Sequence, residues 1–158
     1  MDKLLQLLED DCTLSAEQLA CMTGMTEDEV RAAIAECEEN RTIIGYQAQI
    51  DWDKTERESV IALIEVNVTP QRGDGFDAVA ERIYQYEEVD SCYLMSGRYD
   101  MCVILSGRTL KEVALFVSEK LATIEEVTAT STHFILKKYK DKHLVFKKPE
   151  EQERGYFL

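Results

Sequence analysis

Nowhere in the 158 residues do apolar side chains run on long enough to cross a bilayer, and Met1 is followed at once by the amphipathic stretch 2–10. A cytoplasmic chain without a membrane partner is the expectation. Cysteine is sparse and unpaired in pattern. Cys12, Cys21, Cys37, Cys92 and Cys102 are odd in number, fall mostly within apolar patterns and form no C-x-x-C, which predicts reduced core thiols. Histidine is limited to His133 and His143, and the chain has no Ser-His-Asp order, no metal-ligand spacing and no phosphate-cradling glycine loop. His133 reads as a strand residue with a satisfied ring rather than an acid or base. No catalytic residue, metal or cofactor is therefore named, and an enzyme is not expected.

Positive charge is also missing from the first third. Residues 1–51 hold Lys3, Arg31 and Arg41 against twelve carboxylates and so carry −9 of the net −13. That balance opposes non-specific polyanion binding, because Lys and Arg neutralising phosphates supply most of such affinity.

What is present suits one ordinary domain or two small ones, with 45% hydrophobic residues, enough for a packed core. Leu4, Leu5, Leu7 and Leu8 give residues 2–8 a broad apolar face, a short first helix. Ser15 and Gln18 have the spacing of a capping box, opening a second helix that runs to about Cys21. Thr26 and Glu29 repeat the device, and Val30, Ile34 and Cys37 supply the stripe of a third helix. Only residues 22–25, including Gly24, separate the second from the third. Three short helices with a tight glycine corner outline a helix-turn-helix. A three-helix interaction module that touches no nucleic acid fits the same outline.

Residues 43–50 alternate as a strand does, and the polar run 51–58 reads as a linker between a first domain, 1–50, and a second, 59–142, with 143–158 as a tail. Residues 59–69 read as a strand with Val60, Ala62, Ile64, Val66 and Val68 on one face, and 70–74 as a loop. Phe76, Val79, Ala80 and Ile83 mark a helix. Residues 89–107 read as a hairpin around Gly97-Arg98-Tyr99-Asp100, whose second strand, apolar from Met101 to Leu105, belongs in the middle of a sheet. Thr109, with Glu112 three residues on, opens a helix marked by Leu110, Val113, Val117 and Leu121. Residues 127–139 read as the last strand. The order β-α-β-β-α-β is the ferredoxin-like arrangement, giving an α+β chain with an N-terminal winged-helix-like helix-turn-helix domain. Two helices cover only one face of such a sheet, so the other face predicts pairing with a second copy.

The turn at 97–100 is explained by hairpin geometry alone. It also has the chemistry to hold a small zwitterion, with the Asp100 carboxylate for an ammonium and backbone amides freed by a glycine in unusual angles for a carboxylate.

Taken together, L-A-x-x-x-G-M-T at residues 19–26, the strand-like residues 43–46, the Gly97-Arg98-Tyr99-Asp100 turn and I-E-E-V-T-A-T-S-T at residues 124–132 resemble the Lrp/AsnC (feast/famine) family over nearly the whole chain. The resemblance implies a transcription regulator that binds double-stranded DNA as a dimer or octamer and senses an amino acid between subunits. By that resemblance Gly97, Arg98, Tyr99 and Asp100, with Thr130 and Thr132, line the effector cleft, and Thr26, Arg31 and Arg41 are the DNA-contacting residues. The third helix departs from the family pattern in being acidic. The implied alternative is an amino-acid-binding oligomer that has lost DNA binding and acts through protein contacts. Relatives of this layout also act on tetrapyrroles, using histidine and arginine.

One basic stretch remains: Lys137, Lys138, Lys140, Lys142, His143, Lys147 and Lys148, interleaved with Tyr139 and Phe146. Such a stretch can bind phosphates or pair with the acidic first domain of a neighbouring subunit. The second is the expectation, since opposite charges within one assembly always meet.

Overall fold

Both capping sequences close as their spacing predicts. The Ser15 hydroxyl accepts from the Gln18 amide at 3.2 Å and the Gln18 side chain accepts from Ser15 N at 2.8 Å; Thr26 and Glu29 repeat the exchange at 3.3 and 2.8 Å. In the computed structural model, which describes residues 1–69 and 75–146, these boxes open α2 (Ala16–Thr23) and α3 (Glu27–Glu39), preceded by α1 (Asp2–Asp10). Gly24 ends α2 at φ +78°, its amide donating to Ala20 O, a left-handed conformation that a residue without Cβ adopts at little cost. The chain can then turn within three residues into α3. Leu4, Leu19, Ala20, Val30 and Ala33 form the core of this helical unit.

Residues 43–50 correct the first expectation. Their alternation predicts a strand, yet among the described residues they join no ladder, and Ile44, Tyr46 and Ile50 stand exposed. Alternation records a two-faced segment, but a strand needs a partner for its amides.

The chain divides into two compact units, Met1–Ile50 and Asp51–Leu158. The second begins with a 3₁₀ turn at Trp52–Lys54, where the Arg57 guanidinium lies 4.4 Å from the Trp52 ring centre. Then follow β1 (Val60–Val68), α4 (Gly75–Tyr84), β2 (Val89–Leu94), β3 (Met101–Gly107), α5 (Leu110–Phe116) and β4 (Val127–Ile135). The antiparallel sheet has the order β2-β3-β1-β4, ferredoxin-like as predicted. Ala62, Ile64 and Val66 of β1, and Met101, Val103 and Leu105 of β3, are buried under Val79 and Ile83 of α4 and Val113 and Phe116 of α5. Ile61 and Leu63 of β1 and Ile104 of β3, on the opposite face, are only half-buried.

Three details depart from the sequence reading. After Phe116, α5 widens into a π turn at Val117–Leu121, so the core takes Phe116 and Leu121, five residues apart, while Leu110 stays 56% exposed. The 3.6-residue stripe through Leu110 and Val117 assumed a regular helix. Secondly, β4 stops at Ile135 rather than Tyr139. Finally, a hairpin of β5 (Lys140–Asp141) and β6 (Leu144–Val145) follows, so the boundary drawn at 142/143 falls inside its turn. The expected loop at 70–74 and the chain from 147, including Lys147 and Lys148, lie outside the described residues. Among the described residues no helix is long and apolar enough to cross a membrane. The five cysteines are free thiols, and burial pushes the pKa of Cys92 and Cys102 up, which keeps them protonated at neutral pH.

Candidate functional site

The end of β1 is irregular: its register against β4 slips between Asn67 and Val68, and on its other edge the ladder with β3 ends at Val66 and Met101, which leaves the Val68 amide beyond it without a strand partner. Asp100 fills that gap. Its Oδ2 accepts from Val68 N at 2.8 Å, its own amide donates to Val66 O at 3.1 Å, and its carbonyl accepts from Met95 N at 2.8 Å, closing the turn between β2 and β3. Among the described residues no hydrogen bond engages the second carboxylate oxygen, and Asp100 is half-buried.

Thr130 lies directly opposite Val66 in the β1–β4 ladder and Thr132 opposite Ile64, so Asp100, Val66 and Thr130 form a line across three strands at one end of the sheet. Both threonines are half-buried and share the helix-covered face with Val66 and Ile64. Tyr99, which directly precedes Asp100, is half-buried.

Arg98 goes elsewhere. Its guanidinium reaches Glu65 Oε2 at 3.1 Å, while Glu65 Oε1 lies 3.5 Å from His133 Nε2, and Ser131 Oγ is 3.3 Å from the same nitrogen. Glu65, His133 and Ser131 are on the open face of the sheet, so Arg98 ties the turn to that face. Glu65 is absent from the residues predicted from sequence. Its signal was a single carboxylate interrupting the apolar run of β1. Gly97 is exposed, does not take a positive φ, and has nothing within 4 Å of where a Cβ would stand. The expectation that it adopts unusual backbone angles is corrected: the turn closes through Asp100.

On the helical unit, the Thr26 hydroxyl and amide are both engaged with Glu29, so Thr26 serves as the cap of α3. These bonds hold the Glu29 carboxyl below the usual carboxylate range. Arg31 pairs with Glu27 at 2.5 Å and Asp28 at 3.4 Å, four and three residues back, about one helical turn. Arg41 is exposed and follows α3 at φ 61°, its amide donating to Glu38 O. The three residues are thus not gathered into one basic patch; two of them help to finish the two ends of a helix.

A cavity of about 1310 Å³ opens at the other end of the sheet from Asp100, lined among others by Tyr86, Glu88, Leu105, Phe116 and Lys120. The Lys120 ammonium lies 5.2 and 5.4 Å from the Tyr86 and Phe116 ring centres and pairs with Glu88, whose pKa it lowers.

Residues 61–145 match the model of the Lrp/AsnC ligand binding domain. The chain is 46% identical over 153 residues to the uncharacterized HTH-type transcriptional regulator YugG of Bacillus subtilis, covering 96% of this chain and 92% of that protein. It is 28% identical over 137 residues to the HTH-type transcriptional regulator LrpA of Pyrococcus horikoshii, covering 87% and 94%. In fold it is similar to the transcriptional regulator NMB0573 of Neisseria meningitidis, solved as a complex with L-Met, with a TM-score of 0.72 at 20% identity, covering 93% of this chain and 92% of that one.

Proposed function

Because this chain belongs to the Lrp/AsnC family of transcriptional regulators, we propose that it binds double-stranded DNA as a multimer and responds to a free α-amino acid held at the 97–100 turn, between subunits. The observation that carries the effector site is Asp100. One carboxylate oxygen fixes the end of β1 and the other is left for an ammonium group, with Thr130 two strands away and open space at Gly97. The solved relative bound to L-Met supports an amino acid as the class of ligand.

The multimer follows from the uncovered face of the sheet. Ile61, Leu63 and Ile104, with Ile135 at 39% exposure, present apolar surface around the Glu65 cluster. A second copy laid on that face buries it and satisfies both chains alike. A second reading, an amino-acid-binding oligomer without DNA contact, draws on one observation: the single basic side chain of α3 is already paired.

Thermal-shift measurement against the twenty amino acids tests the effector site, since a ligand selective for the folded form raises the melting temperature. Retention of duplex DNA at low salt separates the two readings.

A further inference from the structure

The helix expected to face DNA offers no uncommitted cation. Six carboxylates stand on α3 against Arg31, and Arg31 is held by two of them. A regulator so built needs its phosphate contacts from another element. The second unit has one.

Residues 137–146 carry Lys137, Lys138, Lys140 and Lys142 against Asp141, a local charge of +3 (four minus one) with His143 neutral. Lys138 pairs with Asp141 at 3.4 Å and lies 5.8 Å from the Phe146 ring centre, so this lysine serves the hairpin itself. Lys137 leans on Tyr139, itself 68% exposed, at 5.2 Å. Among the described residues no carboxylate lies within ion-pair distance of Lys137, Lys140 or Lys142. The turn joining β5 to β6 places Lys142 at φ 42° and His143 at φ 68°, both left-handed without being glycine. That is the backbone of a two-residue hairpin turn, and it sets Lys142 and His143 at the tip at some conformational cost.

We infer that the β5–β6 hairpin is a phosphate-contacting element for double-stranded DNA, with Lys137, Lys140 and Lys142 as the contacts and the exposed Tyr139 beside them. The inference rests on the reading that the protein binds DNA. The net −13 does not forbid it, because charges more than about 8 Å away are largely screened at physiological salt. The alternative occupant, a carboxylate-rich surface of a second chain, is an outcome of the test.

The test is the salt dependence of binding by the full chain to a fluorescent mixed-sequence duplex. Neutralised phosphates release counterions, so the slope of log affinity against log salt falls by roughly 0.9 for each lysine contact removed per bound chain. The variant Lys137→Ala, Lys140→Ala, Lys142→Asn should bind more weakly at low salt with a shallower slope. Asn is used at 142 because it tolerates positive φ. Lys137→Arg with Lys140→Arg should keep the wild-type slope, which separates loss of charge from loss of fold. An unchanged slope in the neutral variant overturns the inference alone; if the same variant also changes the assembly size in salt, the lysines belong against a second chain. Should the wild-type chain retain no duplex even at low salt, both the inference and the DNA-binding reading fall.

Discussion

The Arg31 guanidinium lies 2.5 Å from the Glu27 carboxylate, one turn back on the same helix, and Asp28 approaches it from the side at 3.4 Å. The only cation of α3, the helix proposed to approach DNA, is therefore already paired. Glu27 and Asp28 also face the positive end of the α3 dipole, which stabilises them where they stand. On the proposed DNA-binding reading, stability and DNA affinity pull against one another in α3.

Replacing Glu27→Gln together with Asp28→Asn should separate those two effects. Each carboxylate contributes about 0.3–1 kcal/mol at a helix N-terminus, so the melting temperature should fall slightly. Duplex affinity at low salt should rise, because Arg31 is released and two repulsive charges are gone. Fluorescence anisotropy and thermal melts on the same samples check both signs, and unchanged affinity would mean α3 does not approach the phosphates.

Asp100 joins a structural role to the proposed ligand contact, and two variants divide them. Asp100→Ala leaves the Val68 amide without its acceptor and should cost about 1.5–3 kcal/mol in denaturant unfolding. Asp100→Asn keeps an acceptor for that amide while losing the charge. It should melt close to the wild type yet show no amino-acid-induced shift. If Asp100→Asn still responds to an amino acid, the ammonium is bound elsewhere.

Leu63 sits half-buried on the open face, opposite Ile104 on β3 and beside the Glu65 cluster. With the sheets paired across chains, Leu63→Lys places an unpartnered ammonium in each half of the interface and should dissociate the multimer. The monomer, whose core lies on the other face, should remain folded within roughly 1 kcal/mol. Sedimentation velocity with circular dichroism measures this, and a variant that stays multimeric would remove the open face as the interface.

The α3 cap gives a pH dependence with a defined sign. Bonds from the Thr26 amide and hydroxyl hold the Glu29 pKa below its ordinary value. The contribution is therefore present above the unfolded pKa and is lost as pH falls through the folded one. Thr26→Ala should cost about 1 kcal/mol at neutral pH, and the gap between variant and wild type should narrow in acid. A gap that widens on acidification would contradict the assignment.

Much of the fold was legible because its signals are local. The Ser15/Gln18 and Thr26/Glu29 boxes, the Gly24 corner and the single-face apolar pattern of residues 60–68 each depend on neighbours within a few positions. Arg31's neutralisation was open to the same reading, since Glu27 and Asp28 stand four and three residues before it. The site was less legible. Glu65 looked like an interruption in a strand until Arg98 and His133 reached it from thirty-three and sixty-eight positions away. Residues 43–50 had the alternation of a strand but no strand partner among the described residues. The five-residue step from Phe116 to Leu121 broke the helical period on which the α5 stripe was drawn.

By itself the sequence determined where the capped helices begin, which side of the first strand is apolar, and the β-α-β-β-α-β order, because helix caps and side-chain alternation are settled within a turn or two of chain. Tertiary structure alone decided that Asp100 caps the slipped end of β1, that Arg98 turns to the open face, and that a basic hairpin follows β4. Those outcomes depend on strand register and on which amides the ladder leaves unpaired, quantities fixed only when distant segments meet.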